Sequence, residues 1–274
     1  MSRALLLLAR AAAAAAFLAP IALLLSASFR ENGEMYRHAA ELGWRTFLPA
    51  APTLDAYARV LELPLFARQL LNTVALGGFM ATATTLTSLF AAYALARLPM
   101  RGRGGVFGLM LFTLFVPVDV VLPPLFFVVQ DLGLIDDFSG LALPFVFSPM
   151  GVYLLRQAIQ EVPRELDQAC MLDGGGAWEV LRTAIVPNVR GALIACWLMH
   201  FVFVWEWYLW PLTAMRRDDG QLAQVAIAGL IDPLRSTDYA LVFAAAVLAI
   251  LPAFATFALL QRFLTASHAT TGGK

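Results

Sequence analysis

Residues 165–187 read ELDQACMLDGGGAWEVLRTAIVP: a short amphipathic segment, three consecutive glycines and a second short segment ending at a proline. Strongly apolar stretches flank it on both sides. Pro163 and then Glu165 suit a helix start, because proline is tolerated there and acids favour the positive end of the helix dipole. Asp173 is placed to cap the turn or the next helix, and the glycines adopt backbone angles that other residues resist. The stretch therefore predicts a helix–turn–helix between two membrane-crossing segments.

Both predicted helices of this motif have an apolar face. In the first, Leu166, Ala169 and Cys170 fall at positions i, i+3 and i+4 and so lie on one side. In the second, Trp178 and Leu181 begin another such face. A rigid two-helix projection of this kind is suited to contact with a soluble partner.

The composition is that of an integral membrane protein. Of the 274 residues, 60% are hydrophobic and 14% are charged, and the mean hydropathy is +0.74. Soluble domains contain about 25% charged residues, so this chain lacks much of the surface that water requires. Its formal net charge of zero excludes a strongly basic nucleic-acid binder. The two cysteines and three scattered histidines form no metal-binding motif.

Six apolar segments are long enough to cross a bilayer, which takes about 20 helical residues. The predicted spans are residues 4–27, 70–96, 106–129, 141–158, 192–214 and 239–264. Helices are expected because backbone inside a bilayer must be paired within a helix or a closed barrel, and no segment alternates like a barrel strand. The first span partly resembles a cleavable secretion signal, but its length favours a retained helix. The predicted fold class is an all-α integral membrane protein with six transmembrane helices, a single domain over residues 1–274.

Two short loops indicate the orientation. The loop between the second and third spans carries three arginines and no acid: Arg97, Arg101 and Arg103. The loop between the third and fourth spans carries three acids and no base: Asp131, Asp136 and Asp137. By the positive-inside rule the first loop is cytoplasmic and the second external. Both termini and the loop over residues 163–187 are then cytoplasmic, and the segment 30–68 is external.

The loop over residues 163–187 resembles the E-A-A…D-G-A…P motif of ABC importer permeases, which docks into a groove on a cytoplasmic ATPase. Four positions match the motif at its spacing: Ala169, Asp173, Gly174 and Pro187. Three depart from it: Gln168 stands for the usual Glu, and Cys170 and Gly175 stand for alanines. An exposed ion pair is worth only about 0–1 kcal/mol, so an amide at position 168 need not abolish docking. The docking residues that the resemblance implies are Glu165, Gln168, Ala169, Asp173, Gly174, Gly175, Trp178, Leu181 and Pro187. The alternative is an ordinary amphipathic loop lying on the membrane surface.

The resemblance extends over nearly the whole chain. Asn72-Thr73, the stretch 116–120 (VPVDV) and the stretch 205–212 (WEWYLWPL, with Glu206 where Asn is usual) resemble segments of the carbohydrate-uptake group. That group includes the smaller maltose permease and a glycerol-3-phosphate permease. It implies a multi-pass protein of a bacterial-type inner membrane, working with a second permease as a heterodimer, an ATPase homodimer or heterodimer and an external solute-binding protein.

The chain itself is expected to catalyse no reaction and to hold no cofactor. The phosphate-binding pattern G-x-x-x-x-G-K-[ST] is absent from it. ATP and Mg are therefore expected on the partner ATPase.

Two acids inside predicted spans are candidates for the substrate path. Asp119 and Glu206 are costly in a bilayer, so each is expected to face a cavity or a partner. The other candidates are Tyr208, Trp205 and Asn72. The alternative for Asp119 is a contact with a helix kink or with the sister permease. Trp207 and Trp210 are expected in an aromatic belt at the lipid interface, and the serine and threonines of the second span are expected to pack helices.

The charged residues of the predicted spans limit the class of solute that the chain is expected to carry. The spans contain acids but no Arg or Lys near their centres, whereas a phosphate dianion would favour a cation in the pore. A sugar or related polyhydroxylated solute is therefore expected. Glycerol-3-phosphate or a glycerophosphodiester remains an alternative, because a sister permease can supply positive charge. A proton-coupled secondary transporter using the two acids is the alternative of another class.

Overall fold

The computed structural model describes residues 3–38, 48–232 and 236–269. No strand occurs among these residues, which form α-helices joined by short 3-10 and π-helical segments. The α-helices are α1 (Arg3–Ser28), α2 (Asn32–His38), α3 (Asp55–Glu62), α4 (Phe66–Arg97), α5 (Arg103–Phe112), α6 (Val118–Asp131), α7 (Phe138–Ala142), α8 (Pro149–Glu161), α9 (Arg164–Leu172), α10 (Ala177–Glu179), α11 (Val186–Asn188), α12 (Arg190–Trp205), α13 (Leu209–Ala214), α14 (Ala223–Gly229) and α15 (Tyr239–Ala269). The predicted external segment 30–68 includes residues 39–47, which lie outside the described residues.

Three helices are long and apolar enough to cross a membrane alone: Leu5–Ser28 within α1, the whole of α4, and Tyr239–Phe263 within α15. Three helix pairs meet the same criterion only together, each bent at a short break. They are Arg103–Phe115 with α6, bent by 98°, Phe138–Phe145 with α8, bent by 47°, and Ala177–Asn188 with α12, bent by 81°. If each pair is one span, the described residues contain up to six. The all-α membrane fold class is confirmed, and the individual span limits stay predictions.

The predicted fifth span, 192–214, is not one continuous helix. Helix α12 ends at Trp205, and regular helix resumes only at Leu209 in α13. Pro211 explains the interruption, because its ring would clash with the carbonyl of Trp207 in an unbroken helix. In α13 the proline instead occupies the first turn, where it is tolerated.

The chain divides into two compact units, one of residues 1–70 with 223–252 and one of residues 71–222 with 253–274. In the first unit, α3 packs through Ala56 and Val60 against Ala240 and Ala244 of α15. The Arg59 guanidinium there pairs with the Asp238 carboxylate. The hydrogen bond to Asp238 is the main reason that the pKa of Arg59 is raised above its usual value.

The second unit contains both candidate functional regions. One buried apolar cluster joins α4 and α8 to the 163–187 loop through residues such as Leu89, Leu155, Ile159, Val180 and Ile185. A second cluster joins α4, α6, α7 and the segment after α12, and includes Met80, Val129, Leu141, Trp207 and Trp210.

Hydroxyl groups of α4 satisfy backbone carbonyls where the Phe138–Phe145 and α8 pair is broken. Thr84 donates to the Phe145 carbonyl at 3.3 Å, and Thr87 donates to the Val146 carbonyl at 2.5 Å. Unpaired carbonyls are costly away from water, so these bonds permit the break. Thr84 and Thr87 therefore join helices, as the sequence predicted for the hydroxyl residues of this span.

Candidate coupling surface and transport cavity

The predicted helix–turn–helix over residues 163–187 is confirmed as local structure, and its turn is a Schellman motif. Asp173 is the C-cap residue of α9, and Gly174 follows with φ +84°, the left-handed conformation that favours glycine. The Gly174 N–H donates to the Met171 carbonyl at 3.1 Å, and the Gly175 N–H donates to the Cys170 carbonyl at 2.9 Å. A Cβ at Gly175 would lie 2.7 Å from Cys170 Sγ. Both positions therefore require glycine, one for its φ and the other for space.

The second arm of the loop contains a widened helical segment. Residues Val180–Ile185 are π-helical, between α10 and α11. The widening accommodates Pro187, whose ring would clash with the carbonyl four residues earlier in a regular α-helix. The arm does not end at Pro187 as the sequence suggested but continues to Asn188, whose side-chain amide donates to the Ala184 carbonyl at 2.7 Å.

The end of the loop exposes large apolar side chains. Leu172 is 88% exposed, and Met171 and Trp178 are each 57% exposed. Leu181, in contrast, is 4% exposed and packs in the core cluster with α4 and α8. Isolated exposed apolar residues are ordinary, but Met171 and Leu172 are adjacent at the end of α9. The Trp178 ring instead lies 6.4 Å from the Phe90 ring of α4, and a docking role for Trp178 stays a prediction. We call Met171 and Leu172 the apical patch.

The other implied docking residues lie mostly on the outside of the loop. The exposed ones are Glu165, Gln168, Ala169, Asp173, Gly174 and Pro187, and Gly175 is half-buried. The predicted apolar face of the first arm is only partly correct. Leu166 and Ala169 are exposed, and only Cys170 packs against the core cluster. The inward-facing side of α9 instead contains Asp167, which is 9% exposed.

Asp167 and its partner were missed by sequence reasoning. Arg97 Nε lies 3.2 Å from Asp167 Oδ2, with both side chains largely buried. In the sequence, Arg97 was used only to assign the orientation of a loop, and Asp167 was one of two acids in a first helical turn. Their separation of 70 positions left no local signal of a contact.

Two acids and a tyrosine predicted for the substrate path lie around one cavity. Its volume is about 350 Å³, and it is lined by Val118, Asp119, Leu122, Phe145, Phe203, Glu206, Trp207, Tyr208, Leu209 and Trp210. That volume falls within the range of small-molecule pockets. We call it the Asp119–Glu206 cavity.

The polar groups of this cavity all come from helix ends. Asp119 is in the first turn of α6, just after Pro117, where the helix dipole favours a carboxylate. Glu206 is the C-cap residue of α12, and Tyr208 is the N-cap residue of α13. Interrupted helices are tolerated at membrane depth where they line a cavity or are buried in protein. The arrangement offers two carboxylate acceptors and one hydroxyl beside aromatic rings, and none of the described lining residues is a lysine or arginine.

Two other candidates do not line the cavity. Trp205 is 5% exposed, and its ring stacks on Phe201 with centroids 5.4 Å apart. The Asn72 side-chain amide donates to the carbonyls of Asp219 at 2.9 Å and Gln221 at 3.1 Å. Asn72 thus holds a loop in place, and a path role for it and for Trp205 stays a prediction.

Trp207 and Trp210 do not form a lipid-facing belt, and that interpretation was wrong. They are 8% and 3% exposed, and both rings make edge contacts with Phe145, at centroid distances of 5.0 and 6.0 Å. The Trp210 indole N–H donates to the Leu141 carbonyl at 3.3 Å. Both rings line the Asp119–Glu206 cavity and so form part of its wall.

Among the described residues, no group of three or more His, Cys, Asp or Glu side chains is arranged to hold a metal ion. His200 is buried, with Thr85 Oγ1 3.4 Å from its Nδ1. It is a packed residue of α12.

Comparison with known proteins agrees with this architecture. The chain is 28% identical to the arabinooligosaccharides transport system permease protein AraQ of Bacillus subtilis (strain 168), over 94% of this chain and 90% of that protein. It is 30% identical to the sn-glycerol-3-phosphate transport system permease protein UgpE of Rhizobium meliloti (strain 1021), over 72% and 70%. It is also 30% identical to the trehalose transport system permease protein SugB of Mycobacterium tuberculosis (strain CDC 1551 / Oshkosh), over 66% and 67%.

A solved structure has the same fold. It is a chain of a bacterial ABC transporter involved in the import of the acidic polysaccharide alginate, with a TM-score of 0.80 and 22% identity over 96% of this chain and 98% of that one. Residues 74–267 match the family described as binding-protein-dependent transport system inner membrane component. The expected relationship to carbohydrate-uptake permeases is confirmed, and the chain belongs to this family of inner-membrane transport components.

Proposed function

We propose that this chain is one permease subunit of an ATP-driven importer that carries a sugar or related polyhydroxylated solute across the inner membrane. The observation that carries the proposal is the pairing, within one compact unit, of an exposed apical patch on the 163–187 loop with the Asp119–Glu206 cavity. The apical patch suits contact with an ATPase, and the Asp119–Glu206 cavity suits a small polar solute. A second permease, a pair of ATPase subunits that bind ATP and Mg, and an external solute-binding protein complete the proposed assembly.

In the proposed mechanism the chain performs no bond chemistry. Closure of the ATPase subunits on ATP moves the docked 163–187 loop, and the helix bundle changes from inward-open to outward-open. Hydrolysis resets the cycle. Mutation of Asp173 and Gly174 to Ala tests the docking step, because it removes the C-cap residue and forces a Cβ onto a left-handed backbone at a cost of about 1–2 kcal/mol. Association with the ATPase is expected to fall in co-purification, and unchanged association together with unchanged substrate-stimulated hydrolysis contradicts docking through this loop.

A neutral solute is supported by the charge of the cavity. Two carboxylates accept hydrogen bonds from hydroxyl groups, and aromatic rings pack against the apolar faces of sugars. A phosphate group there would face Asp119 and Glu206, with no cation among the described lining residues. Two of the three named relatives have sugar solutes in their names.

Glycerol-3-phosphate is the second candidate, favoured by the 30% identity to UgpE. Uptake into proteoliposomes containing the whole importer distinguishes the two. Asp119→Asn and Glu206→Gln are expected to lower sugar uptake at least tenfold while ATPase association persists, with Asp131→Asn, an exposed acid outside the cavity, as the control. Equal uptake by all three variants, or transport of glycerol-3-phosphate in preference to sugars, contradicts the neutral-solute proposal.

The proposed orientation places both termini and the 163–187 loop in the cytoplasm. The chain has two cysteines, of which Cys196 is buried and Cys170 in α9 is half-buried. A membrane-impermeant maleimide is expected to label Cys170 in inverted vesicles and not in right-side-out vesicles. Labelling from the outside contradicts this topology.

A further inference from the structure

The 163–187 loop is attached to α4 by a buried cation that belongs to neither the docking motif nor the cavity. Arg97 is the last residue of α4, and its side chain is 6% exposed. Its Nε lies 3.2 Å from Asp167 Oδ2 in the first arm of the loop. Its Nη2 donates to the carbonyls of Ile159 at 2.9 Å and Val162 at 2.5 Å, at the C-terminal end of α8. One guanidinium therefore joins α4, α8 and α9.

A second bond holds the other arm of the loop. Tyr93 lies one turn before Arg97 on α4, and its hydroxyl donates to the Ala177 carbonyl at 2.9 Å. Ala177 is the first residue of α10. Residues four apart lie on the same face of a helix, so one face of α4 is bonded to the loop on both sides of its glycine turn.

The same helix continues to the wall of the cavity. Nearer the N-terminal end of α4, Thr84 donates to the carbonyl of Phe145. The Phe145 ring lines the Asp119–Glu206 cavity and packs on Trp207 at 5.0 Å. A displacement of the loop can therefore be transmitted to the cavity through α4 and the bonds that α4 makes at each end.

We propose that Arg97, Asp167 and Tyr93 are positioning residues that fix the 163–187 loop to α4, so that motion of the docked loop reaches the cavity. The proposal rests on the proposed function and adds the residues through which the coupling acts. It differs from docking, because none of the three belongs to the apical patch. Substitution of these residues should weaken the coupling between ATP hydrolysis and transport without releasing the ATPase.

The test uses the whole importer in proteoliposomes with its solute-binding protein. Tyr93→Phe removes one hydroxyl, and Asp167→Asn removes one charge at nearly constant volume. Both are expected to keep ATPase association within twofold and to lower the stimulation of hydrolysis by loaded binding protein at least fivefold. Asp167→Glu keeps the charge and is expected to retain more than half of the stimulation.

Matched controls separate this role from a general loss of structure. Tyr153→Phe alters a tyrosine on α8 that stacks on Phe107, and Glu161→Gln alters an exposed acid near the same loop. Both should behave as the unchanged importer. Stimulation within twofold of normal for Tyr93→Phe and Asp167→Asn overturns the proposal, and so does loss of ATPase association in both. The proposal that the ATPase docks on this loop is tested separately. It is contradicted if the ATPase still associates normally after mutation of Asp173 and Gly174.

Discussion

Leu172 gives the most direct quantitative test of the apical patch. It is the last residue of α9 and 88% exposed, so it contributes little to the fold of the free chain. Replacement by Ala removes three carbon groups, each worth about 0.8 kcal/mol when buried. If the ATPase covers this side chain, Leu172→Ala should weaken association by about 2 kcal/mol, which is about 30-fold in Kd.

The measurement is a titration of fluorescently labelled ATPase onto the permease pair in nanodiscs. Leu132→Ala is the matched control, because Leu132 is 66% exposed and lies in the loop predicted on the opposite side of the membrane. The Tm of both variants should stay close to that of the unchanged chain. A Kd for Leu172→Ala within threefold of the control shows that the patch is not buried by the ATPase and refutes the reasoning.

Three further predictions concern the supporting structure. Gly151→Ala places a Cβ 2.6 Å from Ser88 Oγ and should destabilise the protein by about 1–3 kcal/mol, seen as a lower Tm in detergent. Asp137 caps α7 by accepting from the Ser139 hydroxyl and N–H, and these bonds lower its pKa. The cap is therefore complete above the usual aspartate range and is lost as pH falls through the lowered folded-state pKa. Amide hydrogen exchange in residues 138–142 should rise as the pH falls below the pKa of Asp137. Asp137→Asn should abolish this pH dependence. Asn72→Ala removes two bonds to the carbonyls of residues 219 and 221 and should increase exchange in that loop without changing ATPase association.

The parts of the fold that depend on short-range pattern could be predicted from the sequence. The glycine turn after Asp173 is an example, because the spacing of residues 170–175 alone determines the Schellman bonds. Asp119 and Glu206 could also be identified, since an acid in an apolar stretch is conspicuous wherever it lies. Their presence around one cavity could not, because it depends on how α6 and α12 end in space.

The remaining errors share a physical cause. Trp207 and Trp210 were assigned to lipid because interfacial and buried indoles look alike in an apolar sequence, and only Phe145 distinguishes them. Arg97 and Asp167 are brought together by the packing of three helices, which no local periodicity records. The break before Pro211 was not predicted, because the apolar stretch of the fifth span continues through it.

If the ATPase docks on the apical patch, the apolar character of the patch determines how the association should respond to temperature. Removal of Met171 and Leu172 from water is driven by entropy near 25 °C and carries a negative heat-capacity change. Such an association weakens on cooling, and it responds little to ionic strength because exposed charges contribute little to it. Chilling should therefore loosen the motor from the membrane subunit, whereas added salt should leave the two together.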